Sequence, residues 1–277
     1  MTHETFTQIT RIKPSHSRFS LNLKEIWAYR ELLYFLTWRD VKIRYKQTAI
    51  GIGWTILQPI LTTAIFTAIF STFTRFDTAA IPYPLFALSG LMIWLFVHNA
   101  ITIASNSFVN NANLVTKVYF PRLIVPLAAT LAGVIDLFFS FLTLIILMLY
   151  YAISITTQIV WVPVFVLLAI IQTVALGTLF SALNVRFRDV KFALPFVLQV
   201  WMIASPIFYP LSLVPEKWKL IFAFNPLAGI LEGFRFALFG TLVDWLVIGV
   251  SMISVFFCVA VSLFVFKQME DDFADLI

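Results

Sequence analysis

The sequence predicts an all-α polytopic membrane protein: six transmembrane helices, an N-terminal amphipathic interface helix, and short re-entrant helices between the fifth and sixth spans. Three observations carry that expectation. Charged residues make up 12% of the 277 residues while 61% are hydrophobic, with a mean hydropathy of +0.93; soluble domains carry roughly 25% charged residues. The uncharged residues come in long blocks, which would leave a soluble chain short of polar surface. Lys and Arg gather in alternate loops, as in chains that cross a bilayer repeatedly.

The spans follow from the need for about 20 mainly apolar residues per crossing. No charge occurs from Gln47 to Thr74, placing the first span at about 51–73. The uncharged stretch from Thr78 to Thr116 holds a second at about 84–106. Between Leu123 and Val185 the only charge is Asp136. That block is too long for one crossing, and the polar break at Tyr150–Gln158 divides it into spans at about 123–149 and 160–183. Residues 192–213 form the fifth and 245–266 the sixth. With the N-terminus inside, fifteen of the nineteen Lys and Arg residues fall in inside segments. Only Arg75, Lys217, Lys219 and Arg235 fall outside. Both termini are therefore expected on the cytoplasmic side. The net charge of +5 reads as a topology signal, not as nucleic-acid binding, because the basic residues are spread over membrane-facing loops.

Residues 1–20 form a cytoplasmic tail without the apolar core of a signal peptide. Over 21–50, Lys24, Glu31, Arg39, Lys42 and Lys46 fall within roughly 80° at 100° per residue. Ile26, Tyr29, Leu33 and Leu36 lie opposite, flanked by Trp27, Tyr34, Trp38 and Tyr45, and Phe35 and Arg30 break the pattern. This is the pattern of a helix lying on the cytoplasmic leaflet, acting as an anchor or also as a dock or a place where substrate enters. The second inside loop, Asn110–Arg122, is short, amphipathic and closed by Pro121. A helix that short needs a support: a lipid surface and a cytosolic subunit are both open. Pro210–Asp244 is too long for a plain connection, yet much of it is apolar. Two short helices broken at Asn225-Pro226 explain it, re-entrant backbone being allowed where protein or a cavity satisfies it. Gly229 and Gly233 permit close helix contact, and Glu232 and Arg235 can pair at i,i+3, for structure or for gating.

Few side chains suggest chemistry. There is no GxxxxGK[ST] phosphate-binding loop, no paired carboxylates and no zinc-ligand spacing. His3, His16 and His98 are scattered, and the single Cys258 sits in an apolar run. An ion-coupled secondary transporter would show more intramembrane charge than Asp136, which fits a hydrogen bond to a neighbouring helix better than a proton relay. A glycolipid transferase would need clustered acid/base or metal-binding residues. In span 2, Asn99, Thr102, Asn106, Asn110 and Asn113 recur on one face, either bonding other helices or walling a hydrophilic conduit. Phe66, Phe70 and Phe73 share a face, as do Trp201 and Phe208, packing on each other or on sugar rings.

Several segments resemble ABC-2-type polysaccharide export permeases. Trp38–Thr48 with Gly51–Trp54 and Gln58-Pro59 is similar to the start of their first span, and Lys117-Val118-Tyr119-Phe120-Pro121-Arg122 resembles their first coupling loop. Asn184–Val190 and Ser205–Tyr209 resemble the segments around span 5, and Asn225-Pro226-Leu227 the outer gate region. The resemblance runs from about residue 30 to 240 in the right order and makes 51–277 an ABC-2 type transmembrane domain. It implies the non-catalytic transport subunit of an O-antigen-class exporter of lipid-linked polysaccharide in the bacterial inner membrane, with teichoic acid or capsular polysaccharide as related cargo. It also implies a homodimer enclosing the channel and two cytosolic ATPase subunits that bind the ATP and Mg; this chain would carry no cofactor or metal.

The residues implied for ATPase coupling are Asn111, Asn113, Leu114, Val115, Lys117, Tyr119, Phe120 and Arg122, with Arg186, Arg188 and Asp189 nearby. Tyr34, Trp38, Arg39, Arg44, Phe66, Phe70, Asn99, Thr102, Asn106, Trp201 and Phe208 are the candidates for the channel lining and the place where substrate enters. Trp218, Phe222, Asn225, Pro226, Glu232 and Arg235 would form the periplasmic gate.

Overall fold

The computed structural model describes residues 23–46, 51, 53–73 and 81–273. The tail over 1–20, the Gln47-Thr48 step and the side chain of Phe73 lie outside them. The protein is an all-α, multi-pass membrane protein. A short helix α1 (Leu23–Ala28) and the longer α2 (Arg30–Tyr45) precede α3 (Gly53–Phe73) and α4 (Tyr83–Ser105). Two short helices follow, α5 (Ser107–Asn110) and α6 (Ala112–Lys117), then α7 (Ile124–Ala132) and α8 (Val134–Tyr150). The chain continues as α9 (Val162–Arg186), α10 (Val190–Ile203), α11 (Glu216–Ala223), α12 (Pro226–Phe239) and α13 (Trp245–Met269).

Among the described residues, five segments are long and apolar enough to cross a membrane, namely α3, α4, α7 with α8, α9 and α13, and the bent pair of α11 and α12 would make a sixth if taken as one span. The fourth of these, α9, and the fifth, α13, run to 25 residues each. α4 is the central one, 72% of its apolar window being buried against 11% for α3. Its broad contact with α9, and that of α9 with α13, forms the middle of the bundle. The interface helix expected over 21–50 is interrupted at Tyr29 and ends at Tyr45. Tyr29, Leu33 and Leu36 turn inward onto a cluster with Phe108, Phe120 and Phe266, and α2 packs across α7. Its apolar face thus rests on protein, while Trp27, Tyr34, Phe35 and Trp38 face outward.

At Pro59 and at Pro206 the expected spans lose backbone hydrogen bonding that side chains of other helices restore. Pro59 lies inside α3 and cannot donate to the Thr55 carbonyl four residues earlier. Ser140 of α8 donates its hydroxyl to that carbonyl at 3.4 Å. The fifth span does not form as one helix over 192–213. α10 stops at Ile203 after 14 residues, about 21 Å of rise against a hydrocarbon core of about 30 Å. Ser205-Pro206 breaks it, since the residue before proline is pushed out of the helical region.

The carbonyls freed there are met by Arg235, which was counted above among the outside-loop charges and is instead buried, with 2% of its surface exposed. Its guanidinium donates to the Pro206 carbonyl at 2.7 Å and the Ile207 carbonyl at 2.8 Å. It also reaches the Phe86 carbonyl and Ser89 Oγ of α4, both at 3.4 Å. The Glu232 carboxylate stands 3.7 Å away, and the Phe86 ring lies under the guanidinium at 3.6 Å. The expected i,i+3 pairing with Glu232 is present, but counting charge by loops did not show that the planar guanidinium serves inside as a donor fork.

The predicted helix pair between spans 5 and 6 is present: α11 and α12 meet at 100°. Asn225 caps α12, accepting from Leu227 N–H at 3.1 Å. Its amide donates to Ser205 Oγ at 2.8 Å, and Trp201 Nε1 donates to its Oδ1 at 2.9 Å. Ser251 of α13 lies 2.8 Å from the Ala223 carbonyl and 3.0 Å from that of Asn225, and accepts from Gly229 N–H at 3.0 Å. A Cβ on Gly229 would stand 2.4 Å from Ser251 Cβ, and one on Gly233 would stand 2.0 Å from the Phe165 ring. The glycine pair therefore lets α12 lie against α13 and α9.

Four variants have expected outcomes. Gly233→Ala destabilises the protein by about 1–3 kcal/mol through overpacking, seen as a lower melting temperature in detergent. Gly249→Ala, with nothing within 4 Å, leaves melting unchanged or raises it slightly. Arg235→Met strips the Pro206 and Ile207 carbonyls of their donor and costs about 3 kcal/mol or more. Arg235→Lys rescues little of this in the same measurement, because an ammonium lacks the fork that spans two carbonyls.

Candidate functional site

The residues singled out from sequence fall into three groups. The first lies around α6, at the end of the bundle that carries α2. Asn111 caps the turn before α6, its amide donating to the Ser107 carbonyl at 2.7 Å. Asn113, Lys117 and Tyr119 are exposed, Leu114 and Arg122 half-buried, and Val115 and Phe120 buried. The amphipathic spacing thus works as a lever: Val115 and Phe120 seat the loop on the cluster of Phe108, Phe266 and Phe273, and the polar residues look out. The Tyr119 hydroxyl donates to Glu25 Oε1 at 3.3 Å, tying the loop to α1. Partial burial, then the Glu25 carboxylate, pushes the Tyr119 phenol up. Sequence reading missed Glu25, because nothing local links positions 94 residues apart. Arg186, at the end of α9, and Arg188 and Asp189 just beyond it are exposed at the turn into α10.

The second group surrounds a cavity of about 180 Å³ between the end of α2, α3, α4 and α8. Asp136, the one charge deep in its block, accepts from Arg44 and from the Tyr45 hydroxyl, as the expected bond to a neighbouring element. Trp54, Gln58 and Asn99 complete its polar and aromatic lining. Gly51 stands at the mouth with φ +56°, a left-handed conformation that favours glycine. Of the candidate lining residues, Arg44 and Asn99 meet here. Tyr34 and Trp38 are exposed on α2, and Arg39 pairs with Asp40 at 2.8 Å. Thr102 and Asn106 spend their donors on the His98 and Thr102 carbonyls at 2.7 and 2.9 Å. Trp54, Gln58 and Tyr45 had signals as residue types but nothing in sequence that grouped them with Asp136.

The third group is aromatic and lies toward α11 and α12. Phe66 stacks on Phe208 with ring centroids 3.7 Å apart and on Phe70 at 5.9 Å. Trp201 meets Trp94 edge-on at 5.8 Å. In this conformation these rings pack on one another. Trp218 and Phe222 lie on α11, Trp218 about half exposed, while Pro226 is buried at the start of α12. Glu232 and Arg235 border a second cavity of about 330 Å³, with Lys219 and Asp244. Among the described residues no three His, Cys, Asp or Glu side chains gather as a metal site would.

The sequence is similar to known membrane transport proteins. Residues 31–239 match the ABC-2 type transporter family. The chain is 28% identical to the O-antigen export system permease protein RfbA of Klebsiella pneumoniae, across 93% of this chain and the whole of that one. It is 29% identical to the protein of the same name from Myxococcus xanthus, over 77% and 82% of the two chains. Similarity extends to the polysialic acid transport protein KpsM of Escherichia coli, 26% identical over 70% and 76%. With three-quarters of its length inside the match, from the second residue of α2 to the end of α12, the chain belongs to the ABC-2 type transporter family.

Proposed function

We propose that this chain is the permease subunit of an ATP-driven exporter that moves lipid-linked polysaccharide of the O-antigen class from cytoplasm to periplasm. The observation that carries the reading is the end-to-end similarity to the Klebsiella permease, with no part of that relative left unmatched. The KpsM relative favours capsular polysaccharide as the second reading. ATP and Mg are bound by a separate ATPase, two copies of which serve a permease homodimer in the inner membrane. The charge distribution supports cytoplasmic termini, and with them a cytoplasmic α6 and a periplasmic α11–α12 pair.

The polymer passes between two copies of the chain. Exposed apolar residues on α3 (Ile60, Leu61, Ile65, Ile69) and α10 (Phe192, Phe196, Val200, Ile203) supply faces for a second copy or for lipid. Asn111, Asn113, Lys117, Tyr119 and Arg122 meet the ATPase, with Leu114, Val115 and Phe120 holding their loop in place. Trp218, Phe222, Asn225, Pro226, Glu232 and Arg235 belong to the outer gate, where Arg235 keeps the chain beyond α10 closed against α4.

Deletion of the gene followed by cell fractionation tests the export reading. Finished polymer accumulates in the cytoplasm if it holds; loss of polymer synthesis would point to a transferase instead. The docking assignment is tested by co-purification. Tyr119→Asp weakens ATPase recovery several-fold while the permease keeps its melting temperature, because Tyr119 is 63% exposed. Phe120→Asp, at a residue 4% exposed, lowers the melting temperature as well. Full ATPase recovery with Tyr119→Asp counts against the assignment.

A further inference from the structure

The cavity bordered by Asp136 has a composition unlike that of a packing defect between membrane helices. Empty cavities in proteins are apolar, and polar ones hold water or ligand. Beside apolar Met92, Leu95, Phe96 and Leu137, this one brings together a carboxylate with its guanidinium partner, two side-chain amides and an indole. An ionised carboxylate offers about four acceptor positions; Arg44 and Tyr45 take one each, leaving the others for a donor in the cavity. The Gln58 side chain makes no hydrogen bond among the described residues, and Asn99 Oδ1 lies 3.2 Å from His98 Nδ1, which leaves its amide hydrogens available. Trp54, 52% exposed, supplies an aromatic wall.

These groups choose between ligand chemistries. An acyl chain would strip water from the carboxylate and amides without replacing their hydrogen bonds. A phosphate would bring its negative charge to a wall where the one cation, Arg44, is already balanced by Asp136, so no surplus positive charge favours it. A neutral ring bearing several hydroxyls fits: hydroxyls donate to Asp136 and to the amide oxygens, accept from the amide N–H groups, and leave a C–H face for the indole. The volume of about 180 Å³ suits one ring, well below the roughly 300–1,000 Å³ of pockets for larger ligands.

We propose that the cavity between α2, α3, α4 and α8 is a binding site for a single sugar ring of the exported polymer, held by Trp54, Gln58, Asn99 and Asp136. This rests on the export reading above and adds to it a site within one subunit, apart from any passage between two. Arg44 and Tyr45 act as positioning residues, fixing the carboxylate at the wall of the cavity.

Full-length protein in nanodiscs of neutral phospholipid, with empty discs as the blank, is titrated with radiolabelled hexyl β-glucoside and, separately, hexyl phosphate. Saturable glucoside binding is expected, with the phosphate showing only the partition of empty discs. Gln58→Ala and Asn99→Ala each weaken the glucoside about fivefold or more, as loss of a ligand hydrogen bond does. Trp54→Ala removes the saturable component; Trp161→Ala, at an indole 53% exposed outside the cavity, leaves it intact. Gln58 and Trp54 lie on exposed positions of α3, so these variants fold whatever becomes of Asn99→Ala. Saturable phosphate binding without glucoside binding, no saturable binding of either, or variants at Trp54 and Gln58 that bind as the unaltered chain does would each overturn the site. A strain whose deletion traps polymer inside the cell, combined with absent glucoside binding, would overturn the site alone and leave the export reading standing.

Discussion

The grip of Arg235 on the Pro206 and Ile207 carbonyls is the contact on which the α11–α12 end of this protein depends. In lipid, backbone away from helices survives only where protein satisfies it. The chain leaves the helix at Ala204 and does not resume a long one until Pro226, so a row of carbonyls comes free in the interior. One guanidinium answers two of them at 2.7 and 2.8 Å and reaches α4 as well. Its own charge is balanced by Glu232 at 3.7 Å and by the Phe86 ring. Gly90 is part of the same solution: a Cβ there would stand 2.7 Å from the Ile207 carbonyl oxygen and 2.8 Å from the guanidinium.

Lipid-imposed satisfaction recurs at smaller scale elsewhere. Ser140 supplies a donor to the carbonyl that Pro59 cannot serve. Asn184 of α9 donates to the Ser105 carbonyl, where α4 ends, at 2.8 Å. Ser262 of α13 donates to the Ala175 carbonyl of α9 at 2.5 Å. In each case a short polar side chain on one span closes a backbone group on another. Such bonds are individually modest, averaging about 0.6 kcal/mol in a membrane, and matter more for fixing register than for total stability. Asn99, Gln58 and Asp136 stand apart because they face a cavity instead of a backbone.

Sequence made the crossings legible because apolar run length is set by bilayer thickness and needs no partner. It made the α11–α12 pair legible for the same reason: each half is too short to cross, and Asn225-Pro226 stands between them. The fifth span was read too long because apolarity continues through Leu211 and Leu213 after hydrogen bonding has stopped; Pro206 and Pro210 were the overlooked signals. Arg235 was legible as a residue of the second short helix and as the partner of Glu232, but not as a buried donor, because the carbonyls it serves lie about 30 and 150 positions away in the sequence. The same distance in sequence hid the partners of Asp136 and of Tyr119. In the loop around α6, local amphipathicity showed that the helix needs a support but not that Val115 and Phe120 are the residues seated on it.

The two ends of the bundle are joined by α9 and α13, which lie against each other over much of their length. At the α2 end, Phe266 of α13 stacks in the cluster that seats Phe120, and Asn184 of α9 holds the end of α4. At the other end, Ser251 of α13 braces the α11–α12 break, and Phe165 of α9 fills the space left by Gly233. From Ser251 to Phe266 is about 22 Å of uninterrupted helix. Packed helices transmit displacement as bodies, so the α11–α12 pair is bound to the pair of spans that also supports the α6 loop. The end of α10 is held differently, through side-chain contacts made by Trp201, Ser205 and the carbonyls on Arg235. Motion of α10 against α12 therefore requires new donors for the Pro206 and Ile207 carbonyls at the moment the guanidinium leaves them. Water can supply those donors and hydrocarbon cannot, which makes the wetting of this segment a precondition of its movement.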